Sequence, residues 1–106
     1  MRTNLVTEFC KAYVKGSIEG GVIASAKHFP GHGNTRIDSH NDLPVIGGTK
    51  NYLLENELKP FIELIENNLH SIMIGHLNVP AFEPNTDLPA SLSYNIITKL
   101  LKEKLG

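Results

Sequence analysis

A single cysteine in 106 residues leaves no partner for an internal disulfide and no basis for a cysteine-ligated zinc site. Cys10 sits on a helical pattern with no His nearby in sequence and reads as a small buried hydrophobe. An excess of one charge is also missing: ten Lys and Arg face eleven Asp and Glu, so nothing would draw in a polyanion, and nucleic acid is not an expected partner. No apolar run approaches the roughly 18 residues of a membrane span. Residues 1–15 lack the basic start, apolar centre and small-residue cleavage site of a signal peptide, which favours a cytoplasmic location. Tandem repeats and low-complexity segments are absent as well. What remains is the composition of a globular domain, 41% hydrophobic and 20% charged, which excludes disorder and collagen-like structure.

The pattern alternates helix and strand. Residues 4–15 carry Leu5, Phe9 and Tyr13 at four-residue spacing, with Thr3 or Asn4 available as N-cap and Gly16 past the last turn, predicting an amphipathic helix. After Gly20-Gly21, residues 22–27 are short and mostly apolar, as in a strand buried on both faces. Residues 28–49 read as one long loop, a length that in a compact domain is functional or disordered. A helix follows with Leu58, Phe61, Ile62 and Ile65 on one face; Pro60 suits a first turn, which makes residues 52–57 a separate short helix. Residues 71–76 form the second apolar strand and residues 77–92 a second loop. The last helix has Ser93 as N-cap, Leu92 and Ile97 placed for a hydrophobic staple, and Ile97, Leu100, Leu101 and Leu105 as its buried stripe.

Strands alternating with helices imply a parallel sheet, yet two strands cannot bury both faces and both edges of one. The order therefore reads as the middle of a larger α/β fold. In such folds the reactive groups gather at the carboxyl ends of strands. Here both strands end in polar residues, Lys27-His28 and His76, and each is followed by its long loop.

The first loop opens Lys27-His28-Phe29-Pro30-Gly31-His32-Gly33 and soon reaches Asp38-Ser39-His40. Taken singly, each histidine is an ordinary hydrogen-bonding loop residue, and Asp38-Ser39 is a turn or cap. The Gly-rich turn lacks the Gly-Lys-Ser/Thr of a phosphate loop. Zinc on His28, His32 and His40 is open on composition alone, but the spacing fits no common motif and no helix carries two His four apart. Neither a metal nor a cofactor is expected. Lys27 is a strand-end cation, which burial would oblige to find a partner. Gly31 and Gly33 permit a sharp turn that brings His28 and His32 back toward the strand end.

Together these motifs, followed by Met73-Ile74-Gly75-His76 and Pro89-Ala90-Ser91-Leu92-Ser93, resemble the β-N-acetylglucosaminidases of glycoside hydrolase family 3. The resemblance is collinear from about Gly20 to the end. It implies a (β/α)8 barrel that removes terminal β-linked N-acetylglucosamine with retention, from muropeptide or chitin-type sugars. A barrel of about 250 residues exceeds this chain, so residues 1–106 are expected to be an internal segment of one catalytic domain: a partial barrel of about two strand-helix units plus a leading helix. By the same resemblance Lys27 and His28 bind the sugar hydroxyls. Asp38 and His40 form the acid/base dyad. His32 and His76 read as supporting hydrogen-bonding residues, with a buried scaffold histidine as the alternative for each. The nucleophile is an Asp on a strand following the last helix, so the segment alone is expected to be inactive. The expected partners are the carbohydrate and the remainder of the barrel.

The chemistry is consistent with those residues. Retaining hydrolysis needs a nucleophilic carboxylate and a second group that protonates the leaving oxygen and later deprotonates water. A His with a free pKa of about 6.5 can do both near neutral pH, and an Asp two residues away can orient it and stabilise the imidazolium. Asn34, where the family commonly has Asp, and Arg36-Ile37, where small or acidic residues are usual, depart from the pattern and bear on loop mobility and leaving-group preference. The rival reading is a noncatalytic carbohydrate-binding or interaction module on the same fold.

Overall fold

The computed structural model describes residues 3–31, 44–85 and 87–106. Helix α1 (Thr3–Glu19) leads into strand β1 (Ser25–Phe29); helices α2 (Lys50–Glu55) and α3 (Lys59–Glu66) follow, then strand β2 (Ser71–Ile74). A 3-10 turn (Ala90–Leu92) precedes the last helix (Asn95–Lys104). β1 and β2 pair in parallel, Ser25 opposite Ser71 and Lys27 opposite Met73, with the register shifting between Lys27 and Phe29. The Lys27–His28 and Phe29–Pro30 peptide bonds are both cis. Val45 adds an isolated parallel bridge to Asn78, extending the pairing beyond the carboxyl end of β2.

Local chemistry accounts for the helix boundaries. Thr49 caps α2 by accepting from the Tyr52 amide at 3.1 Å. Pro60 stands in the first turn of α3, so α2 and α3 are separate, as the sequence predicts. Ser93 caps the last helix: its hydroxyl accepts from the Ile96 amide at 3.1 Å, and its carbonyl from Ile97 at 2.8 Å. The core is Phe29, Ile46, Leu53, Leu58, Phe61, Leu77, Val79, Ala90, Ile96 and Leu100, with the Phe29 and Phe61 rings edge to face at 5.1 Å.

Several expectations are corrected. α1 runs through Gly16 to Glu19 and ends at the Gly20-Gly21 break. It buries Thr7 and Val14, while Phe9 and Tyr13 are 69% and 74% exposed and Leu5 also faces outward. α1 packs on α3, through the face that also places Lys11 near Glu63 and Lys59 on Asn4. The Leu5-Phe9-Tyr13 stripe is therefore not the buried face of α1. β1 is likewise not buried on both faces: Ser25 and Lys27 are exposed, and Val22 and Ile23 lie outside the strand. A two-stranded sheet can be covered only where a helix reaches it. β2 stops at Ile74, two residues early. Cys10 is half-buried.

The last helix is wound in wide π turns and buries Ile96 and Leu100, with Leu101 and Leu105 packed against the core. Ile96 takes the inward position expected of Ile97, which is half-buried. Leu92 is 66% exposed, so the staple does not bury it.

The uncovered apolar stripe has a consequence in solution. Exposed Phe9, Tyr13, Val22 and Ile23, together with the outer edges of a two-stranded sheet, favour association. The isolated chain is expected to elute from size-exclusion chromatography above its monomer mass. A monodisperse monomer with a steep denaturant transition would contradict this.

The loop after β2 is tied down by a buried carboxylate. Glu83 accepts from the Ser93 hydroxyl at 2.7 Å, from the Asn85 amide at 3.1 Å and from the Asn95 side-chain amide at 3.3 Å. The Ser93 bond above all, then the Asn85 amide, holds its pKa below the ordinary glutamate value, while burial opposes them. A depressed folded pKa means that the stabilisation is fully present above the unfolded value of about 4.3 and is lost as pH falls through the folded value. Glu83→Gln should therefore lower the unfolding midpoint at pH 7 and flatten its decline on acidification. Midpoints of variant and parent that stay parallel from pH 7 to pH 3 would show that the carboxylate is not responsible.

Candidate active site

Because β1 and β2 are parallel, their carboxyl ends share one side of the sheet, and the Gly75 amide donates to the Phe29 carbonyl at 2.8 Å to join them. The junction leaves no room for a side chain. A Cβ at Gly75 would lie 2.8 Å from Leu77 Cδ1 and 3.1 Å from His28 Cβ, so only glycine lets His28 sit against the end of β2. His28 and His76 are thus brought to adjacent strand ends.

Lys27 is exposed and His28 half-buried. Exposure removes any demand that the Lys27 ammonium be compensated by a buried partner. Both residues line a cavity of about 390 Å³ between α1, β1 and α3, together with Cys10, Val14, Gly31 and Glu57. His76 is exposed, and its Nδ1 lies 2.8 Å from the Ser91 hydroxyl. The structure therefore places Lys27, His28 and His76 at one end of the sheet. His32, Asp38 and His40 lie outside the described residues. Among the described residues, no group of three or more His, Cys, Asp or Glu is placed to hold a metal ion, and no helix is long and apolar enough to cross a membrane.

Glu57 escaped the sequence reading. Its side chain is buried beside Gly31, where a Cβ would meet Glu57 Cβ at 3.0 Å and Oε2 at 3.2 Å, and Gly31 has φ 136°. Burial pushes its pKa above the ordinary glutamate value. The available signal was its position: an acidic residue directly before Leu58, in the core-facing turn between two helices.

What these strand ends belong to is decided by comparison. The model of the glycosyl hydrolase family 3 N-terminal domain matches residues 2–106. The chain belongs to this family. The family 3 segment is 36% identical to a β-hexosaminidase A of Pseudoalteromonas piscicida over 96% of its length, covering 19% of that protein. Its structure is similar to a family 3 β-N-acetylglucosaminidase from a Paenibacillus species, with a TM-score of 0.93 at 43% identity, covering 97% of this chain and 19% of the other. It is also similar to NagZ of Neisseria gonorrhoeae in complex with N-trifluoroacetyl-D-glucosamine, with a TM-score of 0.86 at 32% identity, covering 95% of this chain and 29% of that one. The family 3 segment thus spans less than a third of the length of these relatives.

Proposed function

We propose that the chain is an internal segment of a family 3 catalytic barrel that hydrolyses terminal β-linked N-acetylglucosamine, in muropeptide or chitin-type sugars, with retention of configuration. The observation that carries the reading is the placement of Lys27, His28 and His76 at the carboxyl ends of two adjoining parallel strands, in a chain belonging to this family. That is where α/β barrels keep their chemistry. Lys27 and His28 grip the sugar hydroxyls. Asp38 and His40, on the loop that leaves β1, form the acid/base dyad, with His32 and His76 as supporting hydrogen-bonding groups.

In the first step His40 protonates the glycosidic oxygen while a carboxylate from a strand beyond the last helix attacks the anomeric carbon. In the second, neutral His40 takes a proton from water, which displaces that carboxylate. Asp38 holds one ring nitrogen and stabilises the imidazolium between the steps.

Assays with an aryl β-N-acetylglucosaminide test the reading. The protein with its barrel complete should release the aryl group, and the 106-residue chain alone should not, because its transition state lacks the main anionic stabiliser. Turnover by the isolated chain above a His40→Ala control would show that the nucleophile has been misplaced. Sugar binding without turnover by the complete protein would favour a noncatalytic carbohydrate-binding module.

A further inference from the structure

His76 differs from a solvated surface histidine in how firmly its surroundings are held. On one side Gly75 is wedged between His28 and Leu77, and its amide is bonded to Phe29. On the other, Leu77 is completely buried. The imidazole is thus carried on backbone that has little freedom.

Its partner is held as firmly. Ser91 is the middle residue of the Ala90–Leu92 turn. Ala90 is fully buried and donates its amide to the Leu77 carbonyl at 2.7 Å, and the Ser93 amide donates to the Ala90 carbonyl at 3.1 Å. Ser93 in turn is fixed by Glu83. The Ser91 hydroxyl therefore reaches His76 Nδ1 at 2.8 Å from a segment anchored on both sides of it. An exposed His76 and a half-buried Ser91 carried on backbones already fixed bond at a lower ordering cost than two side chains on mobile segments. With Nδ1 engaged, Nε2 is the ring atom left for a ligand at the strand end.

We propose that Ser91 is a positioning residue that, through its bond to His76 Nδ1, holds the imidazole so that Nε2 hydrogen-bonds a polar group of N-acetylglucosamine bound at the ends of β1 and β2. His76 is then a specificity-determining contact, and Ser91 acts only through it. The assignment rests on the carbohydrate reading above for the identity of the ligand, and on the Ser91–His76 geometry for the mechanism.

Calorimetric titration of the full-length protein with N-acetylglucosamine tests it, alongside aryl glycoside kinetics. Ser91→Ala should weaken sugar binding about threefold to tenfold, the range for one neutral hydrogen bond, and raise KM more than it changes kcat. Ser91→Thr, which keeps the hydroxyl, should restore the parent affinity. In a His76→Ala background, Ser91→Ala should have no further effect, since nothing remains to be positioned. Ser91→Ala at parent affinity, or an undiminished Ser91→Ala effect without His76, overturns the proposal. A parent protein that binds the sugar without hydrolysing it defeats the hydrolase reading while leaving this comparison decisive, and a parent that does not bind the sugar overturns both.

Discussion

Replacing His40 by alanine in the complete enzyme is expected to slow substrates with poor leaving groups by about 10²- to 10⁴-fold, the usual contribution of general acid–base catalysis. Activated aryl glycosides should lose far less in the first step, because their leaving oxygens depart without a proton. Azide should restore part of the second step, since it attacks the glycosyl intermediate without base assistance. Asp38→Asn should give a weaker form of the same pattern, losing imidazolium stabilisation while keeping the ring. Lys27→Ala, at the exposed end of β1, should instead weaken every substrate regardless of leaving group, the result expected from its proposed role of binding the sugar. Steady-state kinetics across a series of leaving groups makes the measurement. Equal slowing of good and poor leaving groups, with no effect of azide, would return His40 to the role of a structural loop residue.

The second large effect is on stability. Phe29 is completely buried and edge to face with Phe61 at 5.1 Å, at the point where β1, α3 and the end of β2 meet. Phe29→Ala should cost about 3–5 kcal/mol, combining lost apolar burial with the cavity left behind. That is a large fraction of the roughly 5–15 kcal/mol that holds a typical domain. Denaturant unfolding of the full-length protein and its variant measures it. A loss below about 1 kcal/mol would mean that the neighbouring core closes over the site. Because His28 adjoins Phe29, the variant should also lose sugar affinity, whereas Leu100→Ala, in the last helix, should destabilise without that loss.

What could be read without coordinates was local or carried by motif. The order of helices and strands, the break at Pro60 and the Ser93 cap each depend on residues within one turn of one another, and the structure has all three. The run from Lys27 to Gly33 and the later Pro89–Ser93 motif pointed to family 3, which the match over residues 2–106 establishes. The roles of His32, Asp38 and His40 were legible only through that resemblance and are proposals.

Tertiary structure decided which faces are covered and which distant side chains meet. Four-residue spacing made Leu5, Phe9 and Tyr13 a stripe, but α1 packs on α3 and the residues it buries are Thr7 and Val14. In the last helix Leu100, Leu101 and Leu105 meet the core as the apolar pattern predicts, but Ile96 rather than Ile97 completes the buried face. The Glu83–Ser93 bond closes over ten residues and the Ser91–His76 bond over fifteen, separations at which no helical or strand period relates two positions. Glu57 and Gly31 meet although 26 positions, helix α2 among them, separate them in sequence. Periodicity says which side chains share a face; only the packed chain says what that face touches, because the partner comes from elsewhere in the fold.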